Sequence, residues 1–170
     1  MCRAYGPGVV GLRPATPDDV PALAAMLADP SVAAWWPRYD AARLAVELDE
    51  DPGDHFAAVV DWELAGLVTL SEEPEPDYRS GAVDLLLGPA FQGRGLGRLV
   101  VAAACAVLVD DRGHHRVTID PSLANTRAIA CYRKVGFRDV GVLRSYERGP
   151  DGAWRDSLLM DLLAPELLRP

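Results

Sequence analysis

Residues 92–98 read Gln92-Gly93-Arg94-Gly95-Leu96-Gly97-Arg98, with glycine at every second position. They stand between a predicted strand, Ala82 to Leu87, and a predicted helix, Leu96 to Val109. Without side chains at 93, 95 and 97, backbone N–H groups can converge on one ligand. The start of the helix adds positive potential at the same place, and Arg94 and Arg98 add formal charge. The turn therefore reads as an anion site, with pyrophosphate as the natural guest. A phosphate loop ending in Gly-Lys-Ser/Thr is excluded, because Gly97 is followed by Arg98 and Leu99. A dinucleotide fingerprint is excluded too, since its third glycine would fall on Arg98. A loop that needs glycine only for its turns fits the same seven residues.

Working outward, Val9 to Arg13 is a short β-branched strand. Thr16-Pro17-Asp18-Asp19 then reads as an N-cap, a first-turn proline and two carboxylates facing the helix dipole. The helix runs to about Ala28, and Trp35-Trp36-Pro37 lies in the connection to a second helix over Asp40 to Leu48. Phe56 to Val60 and Leu64 to Leu70 are strands joined by a tight turn near Asp61-Trp62-Glu63. Glu72 to Ser80 reads as an acidic, proline-containing loop. The apolar run of Ala82 to Leu87 predicts burial on both faces. Downstream come a turn at Asp110 to His114 with solvated histidines, a strand from Arg116 to Ile119, and a helix from Asn125 to Lys134 stopped by Gly136. A hairpin of Phe137–Tyr146 and Trp154–Leu162 closes the chain. Helices alternating with strands in the second half predict a mixed sheet covered by helices.

Length and composition fit one domain over residues 1–170: 49% of the residues are apolar and 25% charged. No apolar stretch approaches the roughly 18 residues of a membrane span. The Met1–Gly8 segment lacks the apolar core of a signal peptide, so a cytoplasmic location is expected. Cys2, Cys105 and Cys131 form neither a disulfide framework nor a metal site. The net charge of −8 disfavours nucleic acid, whose binding needs lysine and arginine against phosphate. It favours a cationic small molecule. Trp62, Trp154 and the leucine-rich end serve core or interface equally well, leaving monomer and homodimer both open.

Gln92-x-x-Gly95-x-Gly97 before a helix resembles the pyrophosphate-binding signature of the GNAT acetyltransferases. Asn125-Thr126-Arg127-Ala128-Ile129-Ala130-Cys131-Tyr132-Arg133-Lys134-Val135-Gly136-Phe137 is similar to the family's second signature, Asn-x-x-Ala-x-x-x-Tyr-x-x-x-Gly-Phe. The element order matches the family from Val9 to Leu162. The resemblance implies an α/β (α+β) GNAT fold: a mixed, mostly antiparallel central sheet with splayed middle strands and helices on both faces. It implies acetyl-CoA as cosubstrate, held by the main chain of Leu85, Leu86 and Leu87 and by Gln92, Gly93, Arg94, Gly95, Leu96, Gly97, Arg98 and Asn125. Tyr132 matches the tyrosine that hydrogen-bonds or protonates the coenzyme A sulfur. An aromatic core residue would also explain Tyr132, and helix capping alone would explain Asn125. No metal is implied.

For the acceptor, the likeness is to aminoglycoside 6′-N-acetyltransferases, carried by Trp35-Trp36, Val83-Asp84 and Ile119-Asp120-Pro121-Ser122. It implies a small cationic amine as partner, with Asp84 and Asp120 as candidate bases and Trp35, Trp36, Glu72, Glu73, Asp84 and Asp120 as substrate contacts. Several ammonium groups on one acceptor require carboxylates that stay ionised. Plainer readings exist for each: Asp120 as a turn residue, Asp84 paired with an arginine, the acidic loop merely solvated, Trp36 as packing. Acylation of a siderophore, polyamine or protein amine is the alternative activity. A non-catalytic coenzyme A-binding module is the alternative of another class.

Overall fold

The computed structural model describes residues 3–5, 10–51 and 53–169. The side chains of residues 3–5 are excepted. Val9, Cys2 and residues 6–8, used in the sequence reading, lie outside the described residues. One eight-stranded sheet organises the chain, in the order β1-β2-β3-β4-β5-β6-β8-β7. The strands are β1 (Arg3–Tyr5), β2 (Val10–Pro14), β3 (His55–Val60), β4 (Glu63–Glu73), β5 (Ser80–Leu87), β6 (Arg116–Ile119), β7 (Arg138–Arg148) and β8 (Trp154–Leu163). Among the described residues only β5 and β6 pair in parallel, and every other neighbouring pair is antiparallel.

The helices are α1 (Val20–Leu27), α2 (Pro30–Ala33), α3 (Ala41–Glu50), α4 (Leu96–Ala106) and α5 (Thr126–Arg133). They cover both faces, and strand alternation sorts the side chains between two cores. Ala57, Leu67 and Leu86 pack with Leu23, Leu27, Leu44 and Leu48 of α1 and α3. Ala58, Val68 and Val83 pack with the continuous apolar run Val100–Ala106 of α4 and with Ile129 and Tyr132 of α5. That burial explains how α4 tolerates so few polar residues.

Several local expectations change. Strand β1 was not anticipated, and α2 lies within what read as a plain connection. The carboxylate of Asp19 accepts from Thr16 N–H and pairs with Arg13 at 2.6 Å, so a buried ion pair engages it rather than the helix dipole alone. The long apolar helix ends at Ala106 and continues as one wider π-helical turn, Val107–Asp111. Asp61 and Trp62 both have left-handed φ, 49° and 71°, forming the tight β3–β4 turn. Gly136 follows the end of α5 with a φ of 121°, outside the helical region, and a β-carbon there would meet the Glu166 carbonyl oxygen at 2.3 Å. Trp62 and Trp154 are exposed.

The correction that matters most for the site concerns β5. Its residues alternate between buried and open instead of being buried on both faces. The reason is its parting from β6. The two strands pair only at Gly81 with Val117 and Ala82 with Thr118. Beyond Ala82, β5 keeps β4 on one side through Leu87, while β6 turns away to pair with β8.

Candidate active site

The gap between β5 and β6 opens into a cavity of about 1010 Å³ that runs through the sheet from one helical layer to the other. One end is the glycine turn. A short 3-10 turn, Pro89–Phe91, carries the chain from β5 into it. Gln92 then ties the turn down: its Nε2 donates to the Leu87 carbonyl at 2.9 Å, and its Oε1 accepts from Arg127 at 2.7 Å. Gly93 and Gly95 have φ of 73° and 78°, and a β-carbon on either would meet nothing within 4 Å. These glycines are therefore required by backbone conformation, and the space above them is open. Gly95 is the N-cap of α4, which aims the helix's unpaired N–H groups into that space. Arg98, Arg127 and Lys134 line the same end.

The two signatures meet here. Asn125 caps α5 by accepting the Ala128 N–H at 3.2 Å, and it also lines the cavity. Leu85, Leu86 and Leu87 form the β5 wall. The Arg94 side chain points out, reaching toward the Ala90 carbonyl and the Phe91 ring. The Leu96 side chain packs against the core. Neither side chain is in the cavity lining, so only their backbone can serve a ligand there.

The opposite end is acidic. Asp51, Asp84, Asp120 and Glu147 line it together with Trp35, Trp36 and Tyr39. Among the described residues no arginine pairs with Asp84, which removes the structural alternative for that residue. Asp84 opens onto the cavity but is otherwise enclosed by protein. This enclosure, followed by repulsion from Asp120, pushes its carboxyl up from 3.8 to about 6. Tyr146 hydrogen-bonds Asp120, and that bond with the carboxylate's charge pushes the phenol up to about 12.

Tyr132 stands where the two ends meet, on the cavity side of α5. It is buried, with its ring 6.2 Å from that of Phe137. Burial raises its phenol well above the ordinary value, and the neighbouring Cys131, Asp84 and Asp120 add to the rise. It is thus fully protonated at neutral pH and available as a hydrogen-bond donor.

Several cavity residues escaped the sequence reading. Tyr39 donates to Glu47, and burial followed by that bond raises its phenol strongly. Arg43 binds Glu47 at 2.8 Å and lies 4.7 Å over the Tyr39 ring, while Trp36 meets Tyr39 edge-on at 5.1 Å. The Arg43/Glu47 spacing of four on one helix was the available signal. Tyr146 and Glu147 carried none, because their site partners are distant in sequence.

Glu72 and Glu73 are corrected. Both belong to the end of β4 rather than to a loop, and neither lines the cavity. Glu72 is held by Arg112 and His114, and Glu73 accepts the Glu75 N–H at 3.0 Å. His114 is buried beside Glu72 instead of being solvated, because the wider turn after α4 folds it inward. Among the described residues no group of three or more His, Cys, Asp or Glu is placed to hold a metal. Among the same residues, no helix is long and apolar enough to cross a membrane.

Residues 10–138 match the profile of the acetyltransferase (GNAT) domain, and the chain belongs to this family. Over 82 residues it is 40% identical to the aminoglycoside N(6′)-acetyltransferase type 1 of Klebsiella pneumoniae, a match covering 48% of this chain and 38% of that protein. The chain thus matches less than half the length of that relative. Its fold is similar to that of Mycobacterium smegmatis RimJ solved with CoA-disulfide, at a TM-score of 0.84 and 28% identity over 99% of this chain and 88% of that one. It is also similar to the aminoglycoside acetyltransferase AAC(6′)-Ib solved with coenzyme A and kanamycin, at a TM-score of 0.74 and 27% identity over 91% and 94% of the two chains.

Proposed function

We propose that this protein transfers an acetyl group from acetyl-CoA to a small polycationic amine, with the 6′-amine of an aminoglycoside as the leading acceptor. One observation carries the reading: a single cavity is basic and glycine-lined at one end and acidic at the other, with Tyr132 between them. The basic end fits a pyrophosphate. Gly93 and Gly95 leave open space over a helix N-terminus, and Arg98, Arg127 and Lys134 face it. The pairing of β5 with β6 ends at Ala82, so the β5 edge beside Leu85–Leu87 is available to hold an extended amide-bearing arm. Acetyl-CoA supplies a thioester-activated acetyl group.

The acidic end suits the acceptor. Asp84 and Asp120 repel one another, and an ammonium between them relieves that repulsion while binding. An amine attacks only when neutral. Asp84, held near 6, is a stronger base than an ordinary carboxylate and takes the amine proton directly or through water. Tyr132 stays protonated and donates to the departing sulfur, stabilising it as its charge develops. Trp35 and Trp36 offer apolar faces to the acceptor's rings. The 40% identity to an aminoglycoside acetyltransferase over half the chain supports this acceptor. A cytoplasmic location is part of the same proposal, as a compartment that supplies acetyl-CoA.

Thiol release from acetyl-CoA across aminoglycosides with and without a free 6′-amine, polyamines, lysine derivatives and N-terminal peptides tests the proposal. Turnover confined to 6′-amino aminoglycosides is the expected result. Turnover on another amine alone would discard the aminoglycoside assignment, and silence with every amine would discard the transferase reading.

A further inference from the structure

Arg38 lies between two cavity-lining residues, Pro37 and Tyr39. Its backbone has a φ of 58°, in the left-handed region, a conformation that a side chain with a β-carbon adopts only at an energetic cost. Its guanidinium crosses to the tip of the β7–β8 hairpin. There it donates to the Arg148 carbonyl at 2.8 Å and the Gly149 carbonyl at 3.2 Å. The residue before Arg148 on β7, Glu147, lines the opposite side of the acidic end.

The tip is built to receive this contact. Gly149 donates to the Ala153 carbonyl at 2.8 Å, Gly152 donates to Gly149 at 3.0 Å, and Asp151 accepts the Ala153 N–H at 3.1 Å. These bonds fix the direction of the carbonyls that Arg38 finds. A β-carbon on Gly149 would fall 2.3 Å from the Arg155 side chain, so the tip is closely packed as well. On the other side, Trp35 and Trp36 each donate a backbone N–H to the Val32 carbonyl, anchoring the start of the connection to α2.

Two segments more than a hundred residues apart are thus joined beside the acidic end, with Arg38 as the clasp. Resting on the transferase reading above, we propose that Arg38 is a specificity-determining residue: by strapping the α2–α3 connection to the β7–β8 tip it admits free small polyamines and excludes amines borne on a polypeptide chain. A small cation fits wholly within the acidic end and meets carboxylates from both sides. A peptide amine needs an open side for the chain behind it, and on this proposal the strap is what closes that side. Arg38 touches neither substrate nor reacting atoms in this arrangement; it acts by holding the rim.

The test compares wild type with Arg38→Ala in two measurements. Hydrogen exchange over residues 34–40 and 147–153 reads the strap without any acceptor. In Arg38→Ala both segments exchange faster together and the rest of the protein is unchanged. Steady-state kinetics then read the specificity. The KM for a small polycationic amine rises about tenfold, the change expected when one charged hydrogen bond stops ordering a site, with kcat and the KM for acetyl-CoA unchanged. Peptide-amine turnover, undetectable in wild type, appears in the variant. Unchanged exchange in the two segments overturns the strap, and so does a wild type that acetylates peptide and small amines equally well. Silence of both proteins toward all amines, with exchange altered as expected, overturns the transferase reading and with it the specificity, while the clasp itself stands.

Discussion

Replacing Asp84 by asparagine removes one negative charge from the acidic end of the cavity and leaves the size of the side chain unchanged. In the folded protein this carboxyl stands at about 6 instead of 3.8, through enclosure first and Asp120 second. At 1.36 kcal/mol per pKa unit, the ionised form is disfavoured by up to about 3 kcal/mol. Water reaching the carboxylate through the cavity screens it, which brings the expected effect to roughly 1 kcal/mol. The sign follows from the direction of the shift. A carboxyl whose folded value is raised destabilises the fold once it must ionise: the penalty is absent below 3.8, grows between 3.8 and about 6, and is full above that. Asp84→Asn therefore melts higher than wild type at pH 8, by about 2–4 °C for a chain of this size, and by far less at pH 4, where the folded carboxyl is neutral and the penalty has only begun to grow. In the same variant kcat/KM for the acceptor falls by about 10²-fold or more, the usual range for losing a general base. The wild-type rate gains an ascending limb near pH 6. Thermal melts at the two pH values, with matched kinetics, check all of this. Equal melting at pH 8, or an equal gain at pH 4, would refute the claim that Asp84 is held in a strained ionised state. Full activity would refute its role as base.

Two further substitutions separate chemistry from scaffold. Tyr132→Phe should slow single-turnover thiol release by about tenfold to a hundredfold while calorimetric binding of acetyl-CoA is unchanged; an unaltered single-turnover rate would remove the sulfur-side donor. Glu72→Gln should leave kcat/KM as it is and lower stability at pH 7 by about 1 kcal/mol, because it weakens the bonds from His114 and Arg112. Those bonds hold the Glu72 carboxyl below its ordinary 4.5. The difference should therefore shrink once pH falls below 4.5 and be lost as pH passes the depressed folded value, so melts at pH 3.5 should show a smaller gap than melts at pH 7.

The glycine end of the cavity was legible because its pattern is local. Gly93, Gly95 and Gly97 sit within one turn, and Asn125 and Tyr132 lie two helical turns apart, so their proximity could be read from spacing while their joint role rested on the resemblance to the GNAT signatures. The acidic end was legible only in its anchors. Asp84 interrupts an apolar strand and Asp120 ends another, and both lie in the cavity. Glu72 and Glu73 misled because an acidic run reads the same whether it faces a ligand or an arginine. Glu72's true partners, Arg112 and His114, come together only through the turn that follows α4. The burial of β5 misled for a related reason. Its apolar residues read as core from both sides, but the separation from β6 gives one set to the cavity.

That separation also explains why the charges sort as they do. A continuous β5–β6 ladder would bury Asp84 against its neighbour strand with no water and no guest, a placement that no unpaired carboxylate withstands. Parting after Ala82 supplies the space, leaves a free backbone edge, and lets one opening reach α4's N-terminus from below and the carboxylates from above. Anion and cation sites so close would attract and neutralise each other if side chains could cross the gap. They do not: Arg98, Arg127 and Lys134 come from α4 and α5, Asp84, Asp120 and Glu147 from β5, the end of β6 and β7, and Arg43, the cation on the acidic side, is already held by Glu47 at 2.8 Å. Each set is thus fixed to its own elements on either side of the gap between β5 and β6. Tyr132, uncharged and buried at the junction, suits that boundary, since a charged residue there would be drawn to one end or the other.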